Sequence, residues 1–195
     1  MAEDTQVRHE GLLGATFTDG GVGSGYAEGR VLVVRIGERD LGPEEFHVRP
    51  DAEVIGWVMS CSCGWRGEQW WRAVEPADQD VRLRRVYSEH PSPPLEVIDE
   101  PTSAEYRDHI RPVRDAVLAE LSAGSGEDES RLLATVGRAR ELGAEWPDIA
   151  AAAGTTVQAA YDRWRDAPVQ VFTGRHGAEL AALARLVGDA RPDVA

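Results

Sequence analysis

Apolar residues fall in short β-branched runs in the first half of the chain and at intervals of three or four in the second. That change of period separates a strand-rich part from a helical part. Val31-Leu32-Val33-Val34-Arg35-Ile36 and Val54-Ile55-Gly56-Trp57-Val58-Met59 read as strands. The segment Trp65 to Trp71 returns as partner to the second of these, and Val81 to Tyr87 suits either a strand or a short helix. Trp70 and Trp71 are adjacent, so a strand there points them to opposite sides and exposes at least one. Pro91, Pro93 and Pro94 break the chain before Leu95-Glu96-Val97-Ile98. Thr102-Ser103-Ala104-Glu105 has the form of a capping box. Pro112 interrupts the helical pattern beyond it, so the spacing predicts a main helix from about Arg111 to Leu121 with Val113, Val117 and Leu121 on one face.

Beyond the polar stretch SAGSGEDES, the residues Leu132, Val136, Ala139 and Leu142 mark one stripe of a helix over 131–142. Leu142-Gly143 closes it. Trp146-Pro147-Asp148 opens a short second helix, because Pro is tolerated where first-turn amides have no intrahelical acceptor. Gly154-Thr155-Thr156 makes a tight turn, Thr156 is a suitable N-cap, and Val157 begins a third helix. Ala160 and Trp164 give that helix an inward face. A last helix over roughly 177–187 repeats Leu180, Leu183 and Leu186.

These elements predict an α+β protein, a small Trp-rich antiparallel β module followed by a helical helix-turn-helix domain. The expected boundaries are a flexible Gly-rich tail over 1–29, the β module with its helix over 30–122, a linker over 123–130 and the helix-turn-helix domain over 131–195. Gly21, Gly23 and Gly25 do not form a dinucleotide fingerprint, since they precede a strand and the chain has no clear βαβ unit.

The punctuation between Arg138 and Arg165 is that of a motif whose third helix enters the DNA major groove. Gly143, Ala144, Trp146, Ile149, Ala150, Gly154, Gln158, Ala159, Ala160 and Trp164 also resemble, position by position, the helix-turn-helix segments of actinobacterial DNA-binding proteins, including the sigma-factor region-4-like type. The resemblance covers about thirty residues and implies sequence-specific DNA binding in transcriptional or mobile-element control. The chain departs from the pattern at Glu145, where Ser is usual, at Thr155, where Val is usual, at Val157, where a DNA-facing Arg is usual, and at Asp162, a position often basic. Thr156, Val157, Gln158 and Tyr161 are expected to face outward, with Arg163 and Arg165 supplying flanking charge. Gln pairs bidentately with adenine, Val or Thr touches a thymine methyl, and Tyr reaches phosphate. A homodimer would multiply a weak helix by presenting two half-sites.

Charge changes this picture. The net charge is −13, and all 21 basic residues are Arg. Residues 1–124 carry 13 Arg against 23 acidic residues, whereas 125–195 carry 8 against 11. Non-specific coating of nucleic acid is excluded, because that affinity comes from neutralising phosphates. The competing reading is an acidic adaptor whose first module binds a basic protein surface, with the helix-turn-helix structural or docking a protein partner. Arg82, Arg84 and Arg85 form the densest basic cluster, read either as a solvated face or as a phosphate-contacting stripe. No apolar run is long enough to cross a bilayer and the first residues lack a secretory apolar core, so a cytoplasmic chain with no membrane partner is expected.

Cys61 and Cys63 are the sole cysteines. The sequence Cys-x-Cys-Gly-Trp projects two thiols from a turn, like half a zinc knuckle, and zinc takes four Cys, His or carboxylate ligands. His47 and His90 flank the strand region and are the candidates to complete a structural zinc site with Cys61 and Cys63. The alternative is two reduced thiols packed beside Trp65. His9, His109 and His176 show no metal spacing and read as surface residues. No Ser-His-Asp order appears, and the absence of Lys excludes a Walker loop and Schiff-base chemistry. The chain is therefore read as non-enzymatic.

Overall fold

Every residue from Val31 to Arg35 is at most 1% exposed, which explains why this run is continuously apolar apart from Arg35 and does not alternate. It forms strand β3 (Arg30–Ile36), which has partners along both edges. One edge pairs with β2 (Gly21–Ala27); the other takes β4 (Arg39–Asp40) and β5 (His47–Pro50) in succession. The sheet continues from β2 through β1 (Gly11–Thr16), β6 (Gly56–Cys61) and β7 (Trp70–Ala73) to β8 (Arg85–Tyr87). Every one of these pairings is antiparallel except β7 with β8. The computed structural model describes residues 9–124, 128–169, 179 and 181–186.

The α+β class is as expected, but the sheet is larger than the sequence suggested. Residues 11–27, assigned above to a flexible tail, are two of its strands and the turn between them. Their glycines reflect close packing: a Cβ on Gly23 would lie 2.5 Å from Val31 Cγ1 and 2.9 Å from the Leu32 carbonyl. The expected pairing of the Trp57 strand with a return through Trp70 and Trp71 is observed, with Trp57 opposite Trp70. Trp57 and Trp70 are buried and Trp71 is half exposed. The segment Val81–Tyr87 is both things expected of it, a 3-10 turn over Val81–Leu83 followed by β8.

Helix α1 (Leu95–Ala123) is 29 residues long and continues through Pro101 and Pro112. It starts directly after Pro93-Pro94, where the Val97 and Ile98 amides donate to the Pro94 carbonyl at 2.9 and 3.2 Å. The capping-box expectation fails because Thr102 is buried in mid-helix, its hydroxyl donating back to the Ile98 carbonyl at 2.7 Å.

Two compact units divide the chain, Met1–Tyr106 with Gly174–Ala195 and Arg107–Thr173. The boundary between them falls inside α1, earlier than the end expected for the β module at 122. The linker placed over 123–130 lies partly outside the described residues. Residues 179 and 181–186 are helical, as the leucine spacing predicts, but Ala182 and Leu183 join the core of the sheet unit and not the helix-turn-helix domain assigned above. The remainder of that expected helix, and His176, lie outside the described residues.

The second unit is built on α2 (Glu129–Glu141), α3 (Trp146–Ala152) and α4 (Val157–Trp164). The expected stripe is inward: Leu132, Val136 and Ala139 are buried and Leu142 packs against their cluster. Gly143 and Gly154 close α2 and α3 with φ of 78° and 63°, the left-handed conformation that glycine adopts without steric cost. Gly137 serves a different end. A Cβ there would lie 2.3 Å from the Pro168 carbonyl oxygen. Gly137→Ala is therefore expected to destabilise the helical unit by about 1–3 kcal/mol in urea unfolding through overpacking. The propensity gain of about 1 kcal/mol for Ala over Gly acts in the opposite direction. An unchanged or raised midpoint would show that this close approach does not constrain the unit.

Candidate functional site

Strand β6 ends in the turn that carries both cysteines. The Cys61 amide donates to the Trp65 carbonyl at 2.8 Å and the Gly64 amide to the Cys61 carbonyl at 3.0 Å, closing a tight loop. Because β6 pairs with β1, with Gly11 opposite Cys61, the neighbour of this loop is the chain just before β1. The Ser62 amide donates to the Glu10 carbonyl at 3.0 Å, and the Glu10 amide donates to Ser62 Oγ at 2.9 Å. These bonds fix His9 beside the thiols, with its Nδ1 3.6 Å from Cys61 Sγ. Tyr106 on α1 donates its hydroxyl to the His9 carbonyl at 2.7 Å, and its ring centroid is 6.3 Å from that of Trp65. His109 stands about one turn further along the same uninterrupted helix.

His9, Cys61, Cys63 and His109 form a cluster whose ligand atoms all lie within 4.8 Å of one another. Tetrahedral zinc, with bonds of about 2.0–2.3 Å, places its ligand atoms about 3.3–3.8 Å apart. The Cys61–His9 separation matches, and the others, at no more than 4.8 Å, have to close by at most about 1.5 Å to reach that geometry. Cys61 is buried and Cys63 reaches solvent. Burial pushes the Cys61 thiol up to about 11, with backbone donation at the turn opposing. Burial, reinforced by the nearby thiols, also raises the Tyr106 phenol. A Cys2His2 set of this kind can hold a metal ion.

The thiols expected as ligands are thus brought together, but the histidines expected with them are not. His47 stands on β5 opposite Val33 of β3, with β2 and β1 between β3 and the cysteine strand. It is exposed, with Nδ1 3.2 Å from the Glu45 carbonyl. His90 is exposed in the loop after β8, beyond the opposite side of β6. Neither belongs to the cluster. His9 and His109, read from sequence as surface residues, occupy those places. The signal that reveals His9 is strand pairing, since it lies two residues before the strand that meets Cys61.

The other expected surface is α4. Thr156 caps it, accepting from the Ala159 amide at 3.1 Å. Glu145 and Asp148 form a capping box on α3, with the Glu145 amide donating to Asp148 at 3.0 Å. Ala160 and Trp164 are buried, and Thr156, Val157, Gln158, Tyr161, Arg163 and Arg165 are all exposed. Tyr161 meets Trp146 edge to face at 5.4 Å. The polar groups have acidic partners within the unit. Gln158 donates to both Asp162 oxygens at 3.0 Å, Arg163 pairs with Glu129, and Arg165 lies 3.8 Å from Asp166. The Arg163 guanidinium holds the Glu129 carboxyl below its usual range.

The basic cluster around Arg84 is not a strand face. Arg84 has φ of 51°, pairs with Glu68 at 2.8 Å and with Glu105, and lies over the Trp70 ring. Among the described residues no helix is long and apolar enough to cross a membrane. The chain matches no protein-family model, no curated protein and no solved structure.

Proposed function

We propose that the helical unit reads duplex DNA through α4 and that zinc at His9, Cys61, Cys63 and His109 has a structural role in the protein. The observation that carries the DNA reading is the disposition of α4. Its capped N-terminus and short preceding helix hold Ala160 and Trp164 inward, leaving Thr156, Val157, Gln158 and Tyr161 to address base edges and phosphates. Arg163 and Arg165 flank them as the phosphate contacts, and a homodimer presenting two copies of α4 would double the set.

The acidic partners of α4 favour a second reading. Asp162 occupies the Gln158 amide and Glu129 occupies Arg163, the arrangement of a helix that docks a protein partner in an acidic adaptor. One titration separates the two. Fluorescence anisotropy with duplex fragments from the gene's own neighbourhood, across a salt series, is expected to show saturable binding whose log affinity falls with log salt at a slope of about −2 per protomer. Gln158→Ala is expected to weaken it by about 1–3 kcal/mol and to relax specificity. Asp162→Asn, which frees Gln158 and removes a negative charge, is expected to tighten it. A folded protein that binds no fragment at low salt, in wild-type and Asp162→Asn forms alike, leaves the adaptor as the function.

A further inference from the structure

Arg35 is 1% exposed on β3, the most deeply buried charged side chain among the described residues. Its Nε donates to Asp40 Oδ1 at 2.5 Å across the β3–β4 pair. Nη1 and Nη2 are buried and have no hydrogen-bond partner among the described residues. A guanidinium carries five N–H donors, and Asp40 takes one of them. Leaving the other four dry is costly, since a buried donor loses its water and gains nothing in return.

A second arginine approaches the same place. Arg66 is bridged to Ser60 of β6, and Ser60 is fully buried, so the pairing sets Arg66 on the interior side of the sheet. Its neighbour Trp65 points the other way, toward Tyr106. Burial lowers the Arg66 pKa, and the charge of Arg35 lowers it further. Arg66 thus lies on the buried face that carries Ser60, and the outer nitrogens of Arg35 are left without an acceptor among the described residues.

We propose that Arg35 and Arg66 form a binding site for a small oxyanion inside the sheet unit. Two of its oxygens accept from Arg35 Nη1 and Nη2, a bidentate match of planar fork to oxyanion. Arg66 supplies the charge that makes capture of an anion favourable despite the chain's net charge of −13. Phosphate and carboxylate groups share this chemistry. The closed surroundings of Arg35 select a free ion or a short acid, entering beside Asp40, whose side chain is 35% exposed on the short edge strand β4.

The test uses the full chain, zinc-loaded and purified without phosphate or sulfate. Ion chromatography of the denatured protein reads any anion carried through purification. Calorimetry and thermal unfolding then follow added inorganic phosphate, acetate and, as a control, chloride. One phosphate or acetate per chain is expected, and at a hundred times Kd the melting temperature is expected to rise by about 5–10 °C. The stronger of the two identifies the group. Arg66→Gln is expected to weaken binding at least tenfold while the ligand-free melting temperature stays level or rises, because a repulsion has been removed. Arg35→Met serves as the second variant and is expected to abolish the response outright. The proposal is overturned if no anion is retained and neither phosphate nor acetate gives heat or a thermal shift. It is equally overturned if Arg66→Gln responds like the wild type.

Discussion

Cys63→Ser is expected to reduce bound zinc from one ion per chain to near zero and to lower the melting temperature by about 8–16 °C in zinc-replete buffer. The figure follows from mass action. An ion present at a thousand times its Kd contributes about 4 kcal/mol, and each kcal/mol is about 2–4 °C for a chain of this size. Cys63 is the better position than Cys61 because it reaches solvent, so exchanging sulfur for oxygen there removes a ligand and little packing. His109→Ala is expected to act in the same direction, while His47→Ala and His90→Ala leave zinc content unchanged. Zinc must displace the proton that burial holds on Cys61 up to about pH 11, so apparent affinity rises with pH. Metal content by mass spectrometry and melting by circular dichroism read both effects. A wild-type protein whose unfolding is the same with zinc and with chelator would remove the metal from the account of this fold.

Trp164→Ala is expected to cost the helical unit about 3–5 kcal/mol, enough to unfold much of so small a core at room temperature. Trp164 is buried in a cluster with Val136, Ala139, Ile149 and Ala160. Its Nε1 also donates to Glu129 at 3.3 Å, so the same residue ties the end of α4 to the start of α2. Loss of helical ellipticity at lower urea than in the wild type is the expected signature. Trp71→Ala is the control; that ring is half exposed, and its removal is expected to cost less than about 1 kcal/mol. If the two substitutions cost the same, Trp164 is not the keystone of the unit.

The helix-turn-helix is legible residue by residue because its signals are local. A Pro at a helix start, glycines at two helix ends and a Thr cap each act within four residues of where they stand. The sheet is half legible. A β-branched run announces β3, but Gly21-Val22-Gly23-Ser24-Gly25 has the composition of a flexible leader, and what makes it a strand is the proximity of Val31 and Leu32. Helix α1 hides behind its prolines, which sequence rules treat as breaks and which this helix simply accommodates. The candidate metal cluster is legible by its thiols and illegible by its histidines. Fifty-two residues separate His9 from Cys61, and only the pairing of β1 with β6 closes that distance. Choosing the histidines nearest in sequence to the strands chooses the two that the sheet carries away.

The sheet unit is interrupted in sequence, with Ala182 and Leu183 completing a core begun by Ala15 and Phe17. On the ribosome this imposes an order. The helical unit is contiguous from 107 to 173, whereas the core of the sheet is complete only once Ala182 and Leu183 have been made. A chain ended between the two is expected to keep every residue of the helical unit and to lack Ala182 and Leu183 from the core of the sheet, so truncation before residue 182 is expected to weaken the sheet unit alone.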